Sequence, residues 1–590
     1  MDSGKVSVKP NPGTSVPTTR GRRVPTPAGR ISCIWYRDRC PDHETTVQIL
    51  YTALILLLMV GATRLSAHLI PIPLPLIQVV VGALLAWPTL GLHVALDPEL
   101  FLLLFIPALL FSDGWRMPKR EFWRLRRPIF VLAFGLVFLT VLGAGWFLHW
   151  MLHLPWAVAF ALAAVLSPTD AVAVSSIVRG RLPSALLHVI QGEALLNDAS
   201  GLVTFKFAVA AALTGAFSLS QASLEFVIVA VGGVLVGGVL SWLVGRARAW
   251  MVVKRGWSDA APHVVFMLLL PFAAYVLAER LGVSGILSAV AAGMMQSRVD
   301  MLPRQTATRL LNHSVWGLVE FAFNGLVFLI LGLQLPDILA AALPASQALW
   351  PAAGWLTLYV LGAYAVIMAI RFGVILGYWH LTQPGSGPIT IAGDPRLIAA
   401  IASLSGVRGA VTLAGVLSLP LLLSDGTPFP LRDVLVFIAA GVILLSLVVA
   451  SIGIPLLLAR LPEQSNDLLE RERCEVRINA ARAAIVALED VESSDTDEPA
   501  RAALQAEIKA GIIAEFRDEL SSADDSEDAR SLARLRDSLD GELRLLAIRA
   551  QRRELYRLRI AGVIDDLVVS EFLRELDIQE TALMRDQGNR

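Results

Sequence analysis

The sequence is short of charge and of cysteine. Only 17% of its 590 residues are Asp, Glu, Lys or Arg, against about 25% in an ordinary soluble chain. The three cysteines, Cys33, Cys40 and Cys474, are too few and too widely placed for a disulfide framework or a zinc site of usual spacing. Cys33 and Cys40 read as two unpaired thiols. Ten-residue alternation of the kind that marks β-barrel spans is absent. No signal-peptide core precedes the first long apolar run, and no nucleotide-binding or calcium-binding loop is present. Nothing calls for a cofactor or for nucleic acid.

What is there is apolar: 55% of the residues are hydrophobic. The charge deficit is uneven. Residues 1–461 hold 31 Lys and Arg against 20 Asp and Glu, and residues 462–590 hold 19 against 30. A net charge of zero thus hides +11 on the first part and −11 on the second. One soluble globule and a fully disordered chain are both excluded. The expected organisation is a disordered N-terminal segment over 1–46, a membrane domain over 47–461, and a charged cytoplasmic tail over 462–590 that is largely helical.

A bilayer-crossing helix needs roughly 20 apolar residues. Runs between polar breaks give thirteen: 47–63, 73–92, 98–115, 128–152, 156–178, 185–213, 224–245, 262–281, 283–297, 311–335, 350–379, 396–422 and 432–460. The breaks after odd-numbered runs carry seventeen Lys and Arg; those after even-numbered runs carry only Arg280 and Arg432. Basic loops stay in the cytoplasm, which puts the N-terminus outside and the tail inside. The arginines between Arg20 and Arg39 oppose this, and the alternation over six loops outweighs them.

A charge at the bilayer centre costs at least ~2.5–3.5 kcal/mol on insertion scales, so each one needs a reason. They are Asp113, Asp170, Glu193, Asp198, Lys206, Glu320, Arg371 and Arg408. Asp113 and Lys206 are expected near an interface. Glu193 and Asn197 are i, i+4 on one helix face, while Asp198 lies ~100° further round. The two acids can therefore serve different partners. An isolated Arg371 needs an acid, and Glu193 is the best candidate, because a tightly paired Asp198 would lose its capacity to titrate.

Ser167-Pro168-Thr169-Asp170 interrupts the fifth run. A plain proline kink and a broken helix lining a cavity both fit. In the twelfth run, glycines flank Arg408 in Ser405-Gly406-Val407-Arg408-Gly409, and its guanidinium can compensate the C-terminal end of a half-helix. Two broken segments, one in each half, suggest an inverted repeat. The remaining polar features have bland readings. His188 and His313 are satisfied or interfacial groups, Glu320 and Asn324 bond locally or across helices, and Gly232-Gly233 and Gly237-Gly238 are packing surface.

SPTDAVAV from Ser167, GEALLND from Gly192 and GVRGAVTLA from Gly406, in that order, resemble the monovalent cation:proton antiporters of the sodium/proton exchanger (NhaP-like) family, bacterial branch. Phe323 to Phe328 and Leu331 to Pro336 fit it also, and the likeness covers roughly 47–460. The resemblance implies thirteen transmembrane helices, two inverted repeats with two crossed broken helices, and a homodimer in the plasma membrane. It implies Na+, with K+ or Li+ as alternatives, exchanged for H+, in the service of pH and sodium homeostasis. By likeness Asp198 is the ion and proton carrier and the ligand of the transported Na+, with Asn197 beside it and Thr169 and Asp170 at the break near the ion. Glu193 and Arg371 match the family's structural ion pair, and Arg408 matches the arginine of the second broken helix. Three positions depart from the pattern: Ala194 replaces the usual Ser, Ala171 the usual Pro, and Ser112 the usual acid on the third helix, with Asp113 next.

One carboxylate that binds either a proton or a cation couples the two, which implies electroneutral exchange by alternating access. A cation channel or a proton-coupled symporter of another solute is the alternative reading; a channel carries a sustained current. An intramembrane hydrolase built on Ser200 or Ser403 lacks a Ser–His or paired-Asp arrangement.

Overall fold

The computed structural model describes residues 43–588 apart from the connecting segments 68–71, 87–97, 179–180, 216–218, 257–258, 300–305, 344–348, 383–393, 424–425, 462–466, 491–498, 522–526 and 562–565. Residues 1–42, with Cys33 and Cys40, lie outside it. The described part divides into two compact units, one up to Pro462 and one from Glu463. Helices dominate both. Among the described residues the only extended pairing is an isolated bridge between Leu422 and Pro428.

In the first unit α1 (His43–Ser66), α2 (Leu74–Leu85) and α3 (Pro98–Arg116) are followed by two short helices, α4 (Lys119–Arg124) and α5 (Arg126–Phe130). α5 runs through a π-helical segment, Val131–Leu136, into α6 (Val137–Leu152). Next come α7 (Trp156–Val165), α8 (Ala171–Val178), α9 (Ser184–Thr214), α10 (Leu219–Arg255), α11 (Ala260–Arg280) and α12 (Gly285–Val299). The unit closes with α13 (Thr306–Ala342), α14 (Leu349–Leu381), α15 (Pro395–Leu404), α16 (Ala410–Leu417) and α17 (Arg432–Leu458). α1 begins at His43, four residues before the expected start of the membrane domain.

Seven described helices are long and apolar enough to cross a membrane. The fifth and twelfth apolar runs each fold as two half-helices, α7 with α8 and α15 with α16, because Pro168 and the glycines around Arg408 stop the first half. No half-helix reaches the ~20 residues a crossing needs.

The broken segments and α9 are the most enclosed part of the unit. Ala159, Ala161–Val165, Ile401, Ala414 and Val416, and on α17 Leu435, Ile438, Ala439, Ala440, Val442 and Ile443, are almost wholly buried. Close approach comes from small residues. A Cβ on Gly201 would lie 2.7 Å from Cγ of Pro168 and 2.9 Å from Oγ of Ser167, so α9 can pack against the first break only with glycine there. On α10, Gly232 and Gly233 face Val283 and Ser284 just before α12, and Gly237 faces Ser288 in its first turn, while a Cβ on Gly238 would meet no neighbour. The expected packing surface thus uses three of the four glycines.

The second unit is α18 (Asp467–Glu489), α19 (Pro499–Ser521), α20 (Glu527–Ile560) and α21 (Asp566–Gly588). α20 and α21 bury Leu545, Ile548, Val569 and Leu576. Arg552 on α20 bonds Asp577 and Glu580 on α21, both at 2.6 Å. Surface pairs of this kind contribute little, so the apolar seam holds the hairpin.

Candidate functional site

The two breaks meet in the interior. The amide of Asp170 donates to the Val407 carbonyl at 2.7 Å, which ties one break to the other. Four half-helix ends therefore gather in one place, each with uncompensated backbone groups. The chain matches each kind of end with charge of the opposite sign. At the N-terminal ends stands Asp170. Its Oδ1 accepts from the amides of Val172 and Ala173, both at 2.9 Å, and so caps α8. Gly409, the N-cap of α16, lies so close to that carboxylate that a Cβ there would collide with it.

The C-terminal ends receive the arginines. Arg408 Nε donates to the Leu166 carbonyl, at the end of α7, at 3.0 Å, and Nη1 donates to the Gly406 carbonyl. Arg371, from α14, gives Nε to the Ala402 carbonyl near the end of α15 at 3.2 Å. Its other two nitrogens engage Glu193 of α9, Nη2 reaching Oε2 at 2.8 Å and Nη1 reaching Oε1. Glu193 and Arg371 are 0% and 2% exposed. A bidentate geometry with both charges enclosed is the arrangement that offsets their desolvation.

Asn197 sits one turn beyond Glu193 and bonds the first break. Its Nδ2 donates to Thr169 Oγ1 at 2.8 Å, and its Oδ1 accepts from the Thr169 amide at 3.4 Å. Both side-chain groups of Asn197 are thus committed to holding α9 against Thr169. Asp198, the next residue, points elsewhere. It is 8% exposed, and among the described residues its carboxylate makes neither a hydrogen bond nor an ion pair.

A cavity of about 40 Å³ lies beside it. That exceeds the roughly 10–15 Å³ that holds one water. Its lining includes Asp198, Thr169, Asp170, Asp113, Asn324 and Thr412, with Gly409 and Ala410. The structure therefore brings Asp198, Thr169 and Asp170 to one cavity, puts Asn197 immediately behind it, and sets Glu193, Arg371 and Arg408 around it as charge compensation. A partly dehydrated cation or a proton fits the uncommitted carboxylate. No group of His, Cys, Asp and Glu among the described residues has the arrangement of a resident metal site.

Two polar groups stand differently from expectation. Asp113 lines the cavity instead of lying at an interface, because α3 passes the broken segments at that level. Asn324 lines it too. Glu320 is paired with Arg116 and accepts from Ser112 Oγ at 3.4 Å, a contact across helices and not one with Asn324. Lys206 pairs with Glu279 at 3.1 Å on a partly exposed surface. Ser200 and Ser403 spend their hydroxyls on backbone carbonyls, Ser200 on Ala133 in the π-helical segment at 2.7 Å and Ser403 on Ala399 at 2.6 Å. Nothing in the sequence marks the π-helical segment or the unspent hydroxyl of Thr412. Asp113 carried a signal, a charge in an apolar run, whose depth the run alone does not fix.

Residues 53–460 match the family described as the transmembrane domain of sodium/hydrogen exchangers. The uncharacterised Na+/H+ exchanger YjcE of Escherichia coli K12 is 44% identical over 555 residues, covering 92% of this chain and all of that protein. A sodium, potassium, lithium and rubidium/H+ antiporter of Bacillus pumilus is 41% identical over 462 residues, 77% of this chain and 68% of the relative. The fold is similar to that of the sodium proton antiporter MjNhaP1 of Methanocaldococcus jannaschii, solved at pH 8, with a TM-score of 0.54 at 19% identity over 71% of this chain and 100% of that one. With a match over most of the first unit, the chain belongs to the sodium/hydrogen exchanger family.

Proposed function

We propose that the protein exchanges an alkali cation for protons across the plasma membrane, with Asp198 as the one group that carries both. The observation behind this is the state of that carboxylate. It is enclosed and borders a cavity, and no positive partner among the described residues holds it, whereas Glu193 five residues earlier is fully committed to Arg371. A buried carboxylate without a counter-charge is favoured neutral. It can become neutral by taking a proton or by taking a cation, and it does not hold both. That exclusion couples the two ions without any further device.

Asn197, Thr169 and Asp170 complete the site on this reading. Asn197 and Thr169 fix the carboxylate's position, and Asp170 lines the cavity while one of its oxygens caps α8. Arg408, Glu193 and Arg371 keep the broken backbone neutral, so that a segment with free carbonyls and amides survives inside the membrane. Alternating access follows if the broken segments and α9 move as a body and present Asp198 to either side. One titrating Asp makes the exchange one for one and electroneutral. Thirteen crossings in two inverted repeats, an outside N-terminus, a cytoplasmic tail and a homodimer in the lipid complete the proposal. Na+ is the primary cation, with K+ and Li+ as alternatives. The role is pH and sodium homeostasis.

The test is cation-driven dissipation of a pH gradient in proteoliposomes, with Na+, K+ and Li+ offered in turn. The wild-type protein should respond to at least one cation, and Asp198→Asn, folded and reconstituted to the same level, should not. A response from the Asn variant equal to wild type removes Asp198 from the role.

A further inference from the structure

The hydroxyls on α15, α16 and α17 and at their caps follow a rule. Each spends its proton on a carbonyl three or four residues back in its own helix: Ser403 on Ala399 at 2.6 Å, Ser405 on Ile401 at 2.8 Å, Ser418 on Gly415 at 2.7 Å, Ser446 on Ile443 at 2.8 Å. Thr412 breaks the rule. It stands in the first turn of α16, so the residues behind it are the break and not a helix. Gly409, the N-cap, has φ −144° and ψ −140°, which turns the preceding backbone out of helical register. No carbonyl is delivered to the hydroxyl. Its Oγ1 is enclosed and has no hydrogen-bond partner among the described residues, and the side chain is 0% exposed.

An unsatisfied buried hydroxyl destabilises the fold, and valine fills the same shape without that cost. A threonine kept there is explained if something else uses the oxygen. Thr412 lines the cavity that Asp198 borders. Two residues with hydroxyls line it, and the other, Thr169, already accepts from Asn197 through its Oγ1. On α9, one turn before Asp198, the lining residue is Ala194, which has no oxygen to offer. On α9 only Asp198 offers a side-chain oxygen to the cavity, and the unspent hydroxyl is on α16.

We propose that Thr412 Oγ1 is an oxygen ligand of the transported cation, supplied to it by the second broken segment. This rests on Asp198 as the carrier. A neutral oxygen has a particular value in such a site. It stabilises the cation-loaded state and adds little to the protonated one, so it shifts the competition toward the cation. It also makes α16 sense which passenger is aboard.

Thr412→Val and Thr412→Ser in the full-length protein test this. In proteoliposomes the Val variant should raise KM for the cation about tenfold, the factor for losing ~1.4 kcal/mol, with the rate at saturating cation near wild type. The Ser variant should stay close to wild type. A second readout needs no transport: NaCl, compared with choline chloride, should raise Tm of the wild-type and Ser proteins, and the Val variant should need about tenfold more NaCl for the same rise. In choline the Val variant should melt no lower than wild type, because the methyl replaces an unsatisfied group; should it melt lower, Thr412→Ala provides the same comparisons. Unchanged KM and unchanged Na+ response without the hydroxyl overturn the proposal, as does a Ser variant that behaves like Val. Failure of the underlying reading shows up elsewhere, as full exchange by Asp198→Asn.

Discussion

Breaking the Glu193–Arg371 pair tests the charge compensation around the site. Both groups are buried, at 0% and 2% exposure, and Arg371 makes three contacts, two to Glu193 and one to the Ala402 carbonyl. Glu193→Ala leaves a guanidinium enclosed with one neutral acceptor. Arg371→Ala leaves a carboxylate with Asn197 Nδ2 at 3.5 Å as its remaining donor. Removing one member of a buried pair costs about 3–5 kcal/mol, most of it from stranding the other charge. The double variant strands nothing, so its loss should be smaller than the sum of the two single losses, with a coupling of about 0.5–3 kcal/mol as usual for contacting residues. Thermal unfolding of the purified protein in detergent measures this as a cycle of four Tm values. Both single variants should melt several degrees below wild type, and the double variant should melt above the sum of their shifts. Additive shifts, or single variants with wild-type Tm, refute the reasoning, because then neither charge depends on the other.

Gly409→Ala should fold and fail to exchange at the wild-type rate, since the new Cβ meets the Asp170 carboxylate where the two breaks touch; wild-type rates in vesicles would show that the breaks have slack. If one carboxyl carries the exchange, clamping the membrane potential with valinomycin and K+ should leave the rate of Na+-driven proton movement unchanged. A rate that follows the potential would require a second proton, and Asp113, which shares the cavity, is the group that would carry it.

How much of this was legible in the sequence depends on the reach of the interaction. Membrane segments are set by local hydropathy, so the helices fall on the apolar runs. Breaks are set by a few neighbouring residues, Pro168 in one case and Gly406 and Gly409 in the other, and those are visible as interruptions. An arginine alone in an apolar run must find an acid, and Glu193 was readable as that partner because pairing it leaves Asp198 free to titrate. Depth was not readable. Asp113 and Asn324 reach the cavity because α3 and α13 pass the broken segments at that level, a tertiary fact that no run of residues encodes. Thr412 was silent for a related reason. A threonine in an apolar helix is unremarkable until its first-turn position, and the missing carbonyl behind it, are seen together. Asp170 was legible only as a residue at the break near the ion; the amides of Val172 and Ala173 show that one of its oxygens is spent capping α8.

The most direct test of the central claim is proton release on cation binding. Purified protein in weakly buffered detergent solution, near the midpoint of its pH response, is mixed with NaCl while a pH indicator is read. If Na+ and H+ exclude each other at Asp198, each cation bound should release close to one proton from a protonated site, and Asp198→Asn should release none. Cation binding with no proton released, or the same release from the Asn variant, would contradict the account.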